Sequence, residues 1–476
     1  MMGKITAISL FLLFASFSFA GTYSGDVDED GDVDMNDLAL FTNDWLISNC
    51  DSKANFDQWC IIDLRDFAIL SSNWMMNTDV NAIGGDLDYG AYYGYQAWHS
   101  APDGGVFNQW IHWFDNNIPD AAHIHGDMWP DMSEYPAEDL FNTQMYYQNG
   151  QNAKVYSCSR YSTIDLHIKW MKEYGLKGQF FQAQQAAIDN PYILGRTDVI
   201  TEYIRTACEK YKVKFCMMPC NNAKTAEQNQ NIVSKFINYW KHCVDDLRIT
   251  ESPQYMHQNG RPVIGFWGLG FDNRPMTVAE ANEILDFFQN APEQKYRVYV
   301  MGGVPVSWRS SPKAGWDSVF LRLDMISPWR TIFNLTPTAV QNMVDDLAYC
   351  NQHGLDYNPV VSPGASTMHL NDDEAMRNWK PRNGGHFFWD QVYEVCKMGS
   401  KFMYVAMFDE VDEGTAMYKL AASQEQCPAG AGQVPLNEDG YNLPSDWYLR
   451  LGTEAQKMLD GTIPLTSVMP IDPENP

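Results

Sequence analysis

Positive charge is what this chain has least of. Its 476 residues carry 33 Lys and Arg against 60 Asp and Glu, a formal charge of −27 at pH 7. Nucleic acid and anionic membrane surfaces are recognised by clustered cations, so neither is an expected partner. Long apolar runs are scarce too, and beyond the N-terminus no segment is long and apolar enough to span a bilayer. No glycine-rich nucleotide loop follows any strand-like run, which argues against a doubly wound open sheet. Cysteine is sparse: the ten cysteines are too scattered for a disulfide scaffold. Cys216 and Cys220, inside KFCMMPC, read as core thiols on a buried strand rather than zinc ligands.

What is present begins with MMGKITAISLFLLFASFSFA, a lysine, an apolar run and small residues before Ala20. That pattern predicts a signal peptide over residues 1–20 and a secreted, cell-surface or periplasmic protein. Residues 21–80 then hold thirteen acids against Lys53 and Arg65. In GDVDEDGDVDMNDLALFTNDWL the oxygens of Asp26, Asp28, Asp30, Asp32, Asp34 and Asp37 fall at positions 1, 3, 5, 7, 9 and 12, with Gly31 at the turn. Hard carboxylate oxygens so spaced converge on calcium, and Asp26, Asp28, Asp30, Asp32 and Asp37 are the expected ligands of this structural cation. A second copy, NFDQWCIIDLRDFAILSSNWM, has Asn55, Asp57, Trp59, Asp63 and Asp66 at the ligand positions and Cys60 in place of the glycine. A Cys50 to Cys60 disulfide is the alternative to a metal there. The paired loop and helix over residues 25–75 resembles the dockerin module, which implies a cohesin-type protein partner.

After a linker at 77–85, strand-like and helix-like runs alternate over residues 86–462, followed by a tail at 463–476. The candidate strands are 89–98, 178–184, 214–219, 263–268, 297–302, 325–327, 357–362 and 402–408. Amphipathic segments such as DVITEYIRTACEKY and TAVQNMVDDLAYCNQHG lie between them. Eight strands with helical crossovers predict an α/β fold, a (β/α)8 TIM barrel with an insertion after the first strand, preceded by a small all-α calcium-binding module. His123 and His125, within the insertion, offer a His-x-His metal pair, with Asp127 as a third donor.

Functional groups gather at strand ends. The candidate substrate-binding residues are Tyr92, Tyr93, Gln96, Trp98, Gln182, Trp267, Asp272, Trp308, Arg309, Trp329, Asp409 and Asp412, because sugar C–H faces pack on rings while hydroxyls need amides and carboxylates. The run FMYVAMFDEVDEGTAMY at 402–418 carries the chemistry: a buried strand stops in Asp409, Glu410, Asp412 and Glu413. Two close carboxyls drive their pKa values apart, which supplies an acid and a base at one pH. Residues three apart on a helical turn lie about 5–6 Å apart, the short separation expected of retaining glycosidases.

The motifs GAYYGYQAW, WPDMSEYP, GFWGLGF, GGVPVSWR, ISPWR, VVSPG and YVAMFDEVDEGTA, in this order over residues 86–462, resemble the glycoside hydrolase family 71/99-like group. That resemblance implies a glycoside hydrolase acting on an α-linked polysaccharide, endo-acting and retaining, with no cofactor for catalysis. The E-x-x-E motif of family 99 maps onto Glu410 and Glu413. By that mapping Glu410 takes the proton of the sugar 2-hydroxyl, O2 closes on C1, and Glu413 protonates the leaving oxygen before activating water. The family places Trp-His between its glutamates; this chain has Val411 and Asp412. Two other readings compete: a non-catalytic carbohydrate-binding or scaffold protein on the same barrel, and an inverting α-glucanase-like hydrolase with Asp272 as base.

Overall fold

A computed structural model describes Val27 and residues 35–49, 52–56, 61–72, 87–103, 107–331 and 334–476. The chain divides into two compact units, Met1–Ile83 and Gly84–Pro476.

Among its described residues the first unit holds two helices, Met35–Asn43 and Leu64–Ser72. Phe41, Ala54, Ile62 and Leu70 are buried between them. The repeat is visible in its hydrogen bonds. Asp37 accepts the N–H of Val27 at 2.6 Å, and Asp66 accepts the N–H of Phe56 at 2.7 Å, each ten residues back along the chain. Asp26, Asp28, Asp30 and Asp32, the candidate disulfide Cys50–Cys60 and the leader all lie outside the described residues.

The second unit has strands β1 (Gly90–Tyr95), β2 (Phe141–Tyr146), β3 (Asn152–Val155), β4 (Gly178–Ala183), β5 (Lys214–Pro219), β6 (His257–Gln258), β7 (Arg261–Trp267), β8 (Tyr299–Pro305), β9 (Met325–Trp329), β10 (Asp356–Tyr357), β11 (Val360–Val361) and β12 (Phe402–Val405). Parallel ladders run β11-β12-β1-β4-β5 and β7-β8-β9-β10. The bridge Cys220↔Trp267 joins β5 to β7. Since β10 and β11 are consecutive pieces of one extended segment, the circle closes as a parallel barrel. A helix follows each barrel strand, from Tyr161–Glu173 after β1 to Trp447–Leu459 after β12. The β2–β3 hairpin lies in the long segment between β1 and its helix.

Three strand ends differ from the sequence pattern, each for a backbone reason. The segment expected at 357–362 is broken at Asn358–Pro359, where proline has no N–H to give a ladder. β1 stops at Tyr95 because the N–H groups of Gln96 and Ala97 turn to a side chain, with Ala97 at φ 48°. β12 stops at Val405, and the N–H of Phe408 then reaches across to the carbonyl of Gly94 at 2.7 Å. Gly94 permits that approach: a Cβ there would stand 2.3 Å from the Tyr404 hydroxyl and 2.1 Å from the Met407 methyl. Residues 463–476 are less of a tail than their composition suggests, since Met469 is buried and Ile471 packs against the core.

Aromatic rings fill the barrel from bottom to mouth. Tyr92 meets Phe180, Phe180 meets Tyr404, Tyr404 meets Trp329 and Trp329 meets Trp267, with ring centroids 5.5–6.2 Å apart. Contacts of this kind are a packed interior rather than a pore.

Candidate functional site

The carboxyl cluster sits where the strands of a parallel barrel present their C-terminal ends. After β12, the ring of Phe408 inserts among Tyr95, His167 and Tyr418 at 5.8–5.9 Å. Below it, His167 is fully buried and bonded by one ring nitrogen to the Tyr95 hydroxyl (2.8 Å) and by the other to the Tyr135 hydroxyl (2.7 Å). Burial pushes this imidazole down to about 3, so it stays neutral and serves as a rigid prop. The next six residues, 409–414, leave that prop as one tight turn. Thr415 donates its N–H to the Glu410 carbonyl at 3.0 Å, and Gly414 donates to the Val411 carbonyl at 3.3 Å.

Each of the four acids has a different environment. Asp409 is fully buried and accepts the backbone N–H groups of Gln96 (2.9 Å) and Ala97 (2.7 Å), which ties the turn to β1. Burial nonetheless pushes its carboxyl up to about 7. Asp412, also buried, lies 2.9 Å from His99 Nε2 and 2.8 Å from His112 Nδ1. Burial alone would raise it, but the two imidazole partners outweigh that and hold it well below the usual carboxylate range. His99 is itself pushed down by burial and donates as a neutral ring. His112 is fixed from its other side, stacked on Trp98 at 3.8 Å and 3°.

Glu410 and Glu413 are the asymmetric pair. Glu410 is buried, with Oε1 accepting the N–H of Asp412 at 2.8 Å and of Glu413 at 3.4 Å. Burial raises its carboxyl well above the ordinary glutamate value, and the charges of Asp412, Glu413 and Asp409 add to that. Glu413 is surface-accessible. Protein nevertheless crowds it enough that desolvation raises its carboxyl, with Asp412 again contributing. An accessible acid beside a buried one, both reluctant to ionise, is an arrangement suited to proton transfer at near-neutral pH.

The structure separates the remaining sequence candidates into two groups. Gln96, Trp98 and Gln182 line a pocket of about 400 Å³ that shares His112 with the carboxyl turn. Trp267 and Trp329 meet edge to face at 5.5 Å at the ends of β7 and β9. The other candidates sit elsewhere. Tyr92 lies inside the barrel with its hydroxyl donated to the Asp88 carbonyl, below β1. Tyr93 is fully buried against Gly452 of the outer helix Trp447–Leu459. Trp308 is buried against Phe320 and Tyr349, and Arg309 pairs with Asp346 at 2.7 Å, so both belong to the helical layer. Asp272 is exposed on the loop beyond β7.

His123, His125 and Asp127 do not converge. They bond to Asp120, Asp115 and His369 respectively. The donors that do lie within 4.8 Å of one another are His112, His125 and Asp412, and separately His99, Glu410 and Asp412. Asp412 already spends an oxygen on each of His99 and His112. His112 escaped sequence reasoning because its partner lies 300 residues away, and within WIHWF it reads as one more ring of an apolar loop segment.

No protein-family profile matches the chain, and no curated protein does either. Among solved structures, the chain is similar to the GH99 endo-α-mannosidase of Bacteroides thetaiotaomicron in complex with bis-tris propane, with a TM-score of 0.56 at 14% identity over 79% of this chain and 98% of that one. A second structure of that enzyme gives a TM-score of 0.55 at 14% identity over the same shares. The likeness is one of fold: this chain carries its four-acid turn on an α/β barrel similar to that of the GH99 enzyme.

Proposed function

We propose that the chain is a glycoside hydrolase acting on an α-linked polysaccharide, endo-acting and retaining, with Glu410 and Glu413 as its reacting pair. The observation that carries this reading is their asymmetry: one buried and one accessible carboxyl on a single turn at the barrel mouth, both raised. Its Oε1 held by turn N–H groups, Glu410 is the base that takes the proton from the sugar 2-hydroxyl. O2 then closes on C1 as the glycosidic bond breaks, and Glu413 gives its proton to the leaving oxygen. Water, deprotonated by Glu413, next opens the three-membered ring at C1, and Glu410 returns the proton to O2. Asp409 and Asp412 do not react in this scheme; they anchor the turn and set its charge.

The test is a panel of α-mannans, α-glucans, fucans and xylans offered to the wild type and to Glu413→Gln. Hydrolysis of at least one α-linked glycan, lost in the variant, is expected. Equal product from both proteins would remove Glu413 from the mechanism, and a fully folded wild type inert on every α-glycan would favour a binding protein.

The N-terminal unit adds a second part to the proposal: secretion, calcium held by the Asp26–Asp37 loop, and docking to a cohesin-type partner. Its support is the repeated Asp-to-backbone bond together with an apolar face on which Trp45, Ile61, Leu64 and Phe67 are exposed. Calcium should raise the melting temperature of this unit in the full chain, and Asp26→Ala should abolish the rise.

A further inference from the structure

The pocket beside the carboxyl turn has a charge character opposite to that of the whole chain. In a protein of formal charge −27, no acidic residue lines this cavity of about 400 Å³ among the described residues. Among the described residues that line it, the one permanent charge is Arg196, on the helix Pro191–Tyr211 that follows β4. The guanidinium stands 5.0 Å from the centroid of Phe107 and 5.9 Å from that of Tyr192, and no carboxylate pairs with it among the described residues. Its Nε is buried without a hydrogen-bond partner among the described residues. Two further lining groups are in the same condition: the Gln96 Oε1, on a residue 7% exposed, and the Trp98 Nε1. Buried polar atoms of this kind carry a desolvation cost until something bonds them. Gln182 adds to the lining an amide suited to hydroxyl groups, whereas Asn222 is bonded to Gln184 and Gln185.

We infer that this pocket is a subsite for an anionic sugar unit, a uronate or a sulfate ester, whose charged group is received by Arg196. Guanidinium is the side chain fitted to this task, because its planar fork meets a carboxylate or sulfate with two parallel N–H bonds. The flanking rings hold the fork, so little ordering remains to be done on binding. His112 joins the subsite to the reaction centre: it lines the pocket and bonds Asp412. The inference rests on the glycoside hydrolase reading for its purpose, but its test does not require turnover. Asp409 and Asp412 stand behind the pocket wall, bonded to the N–H groups of Gln96 and Ala97 and to His112, and neither lines the cavity.

The experiment measures binding by the full chain carrying Glu413→Gln, with matched probes: dextran against dextran sulfate, and fully methyl-esterified polygalacturonate against polygalacturonate. At least one charged probe should bind more tightly than its neutral partner. Arg196→Gln should weaken that binding by about ten-fold or more, as loss of charge-assisted hydrogen bonds implies. Arg196→Lys, which keeps the charge but not the fork, should recover part of it and covers the case in which the Gln variant folds poorly. Preference for sulfate or carboxylate tells which anion the subsite takes. Equal binding of charged and neutral probes, or an Arg196→Gln protein as tight as its parent, overturns the inference. Glu413-dependent hydrolysis of a neutral glycan alongside that result leaves the hydrolase reading standing; Arg196-dependent binding without turnover on any glycan does the reverse.

Discussion

At Asp412 a buried carboxylate meets two imidazoles, at 2.9 Å and 2.8 Å, and its charge lies beside both proposed reacting groups. That charge contributes to raising Glu410 and Glu413 alike. An acid catalyst with a raised pKa keeps its proton to higher pH, so the alkaline limb of the rate profile reports it. Asp412→Asn removes the charge and should move that limb to lower pH, as followed by kcat/KM against pH. An unmoved limb would show that burial alone does the work. Glu410→Gln and Glu413→Gln should each lower kcat by about 10²–10⁴, the usual worth of a positioned acid or base. Loss of the same size from Tyr93→Phe would contradict the placement of Tyr93 against the outer helix.

The turn between β12 and Thr415 is the element that turns sequence into geometry. Gly414, at φ 64°, closes it, and a Cβ there would stand 2.6 Å from the backbone nitrogen of Ser366. That nitrogen donates to the Glu413 carbonyl at 3.0 Å, so Gly414→Ala must push Glu413 away from its neighbours. We expect a loss of roughly 1–3 kcal/mol in stability, from backbone strain and overpacking, with a larger loss of activity than stability alone explains. Chemical denaturation and kcat measured on one preparation separate the two. Much of this element was legible: β5 matched its expected limits, the other strands stood near theirs, and the acids announced themselves after an apolar run. The contacts that rank those acids were not legible. Asp409 finds its N–H donors 313 and 312 residues away and Asp412 finds His112 300 residues away, distances that no local pattern encodes. Strand-end position also overstated Tyr92, Tyr93, Trp308 and Arg309, because alternate residues of a strand point to opposite faces and loops fold back onto helices.

For the molecule as a whole, the buried acids make stability depend on pH. Asp409 has a raised pKa in the folded state, about 7 against 3.8, so folding favours its neutral form. Its contribution is fully present below pH 3.8 and is lost as pH rises towards 7, on the order of 4 kcal/mol over that window. Asp409→Asn cannot ionise, and its stability relative to wild type should therefore improve between pH 5 and pH 7.5 in urea denaturation. A relative stability that falls over that range would show that the Gln96 and Ala97 N–H groups, not burial, dominate. The parallel barrel closes around aromatic layers, and the four-acid turn follows its last strand; in the proposed reaction the Glu410 and Glu413 pair of that turn does the chemistry. For the proposed hydrolase the most direct measurement is the anomer first released from an α-linked glycan, followed by proton NMR before mutarotation. Reaction through Glu410 and Glu413 predicts the α anomer, with release abolished in Glu413→Gln; a β anomer released first, or unchanged release by the variant, would contradict it.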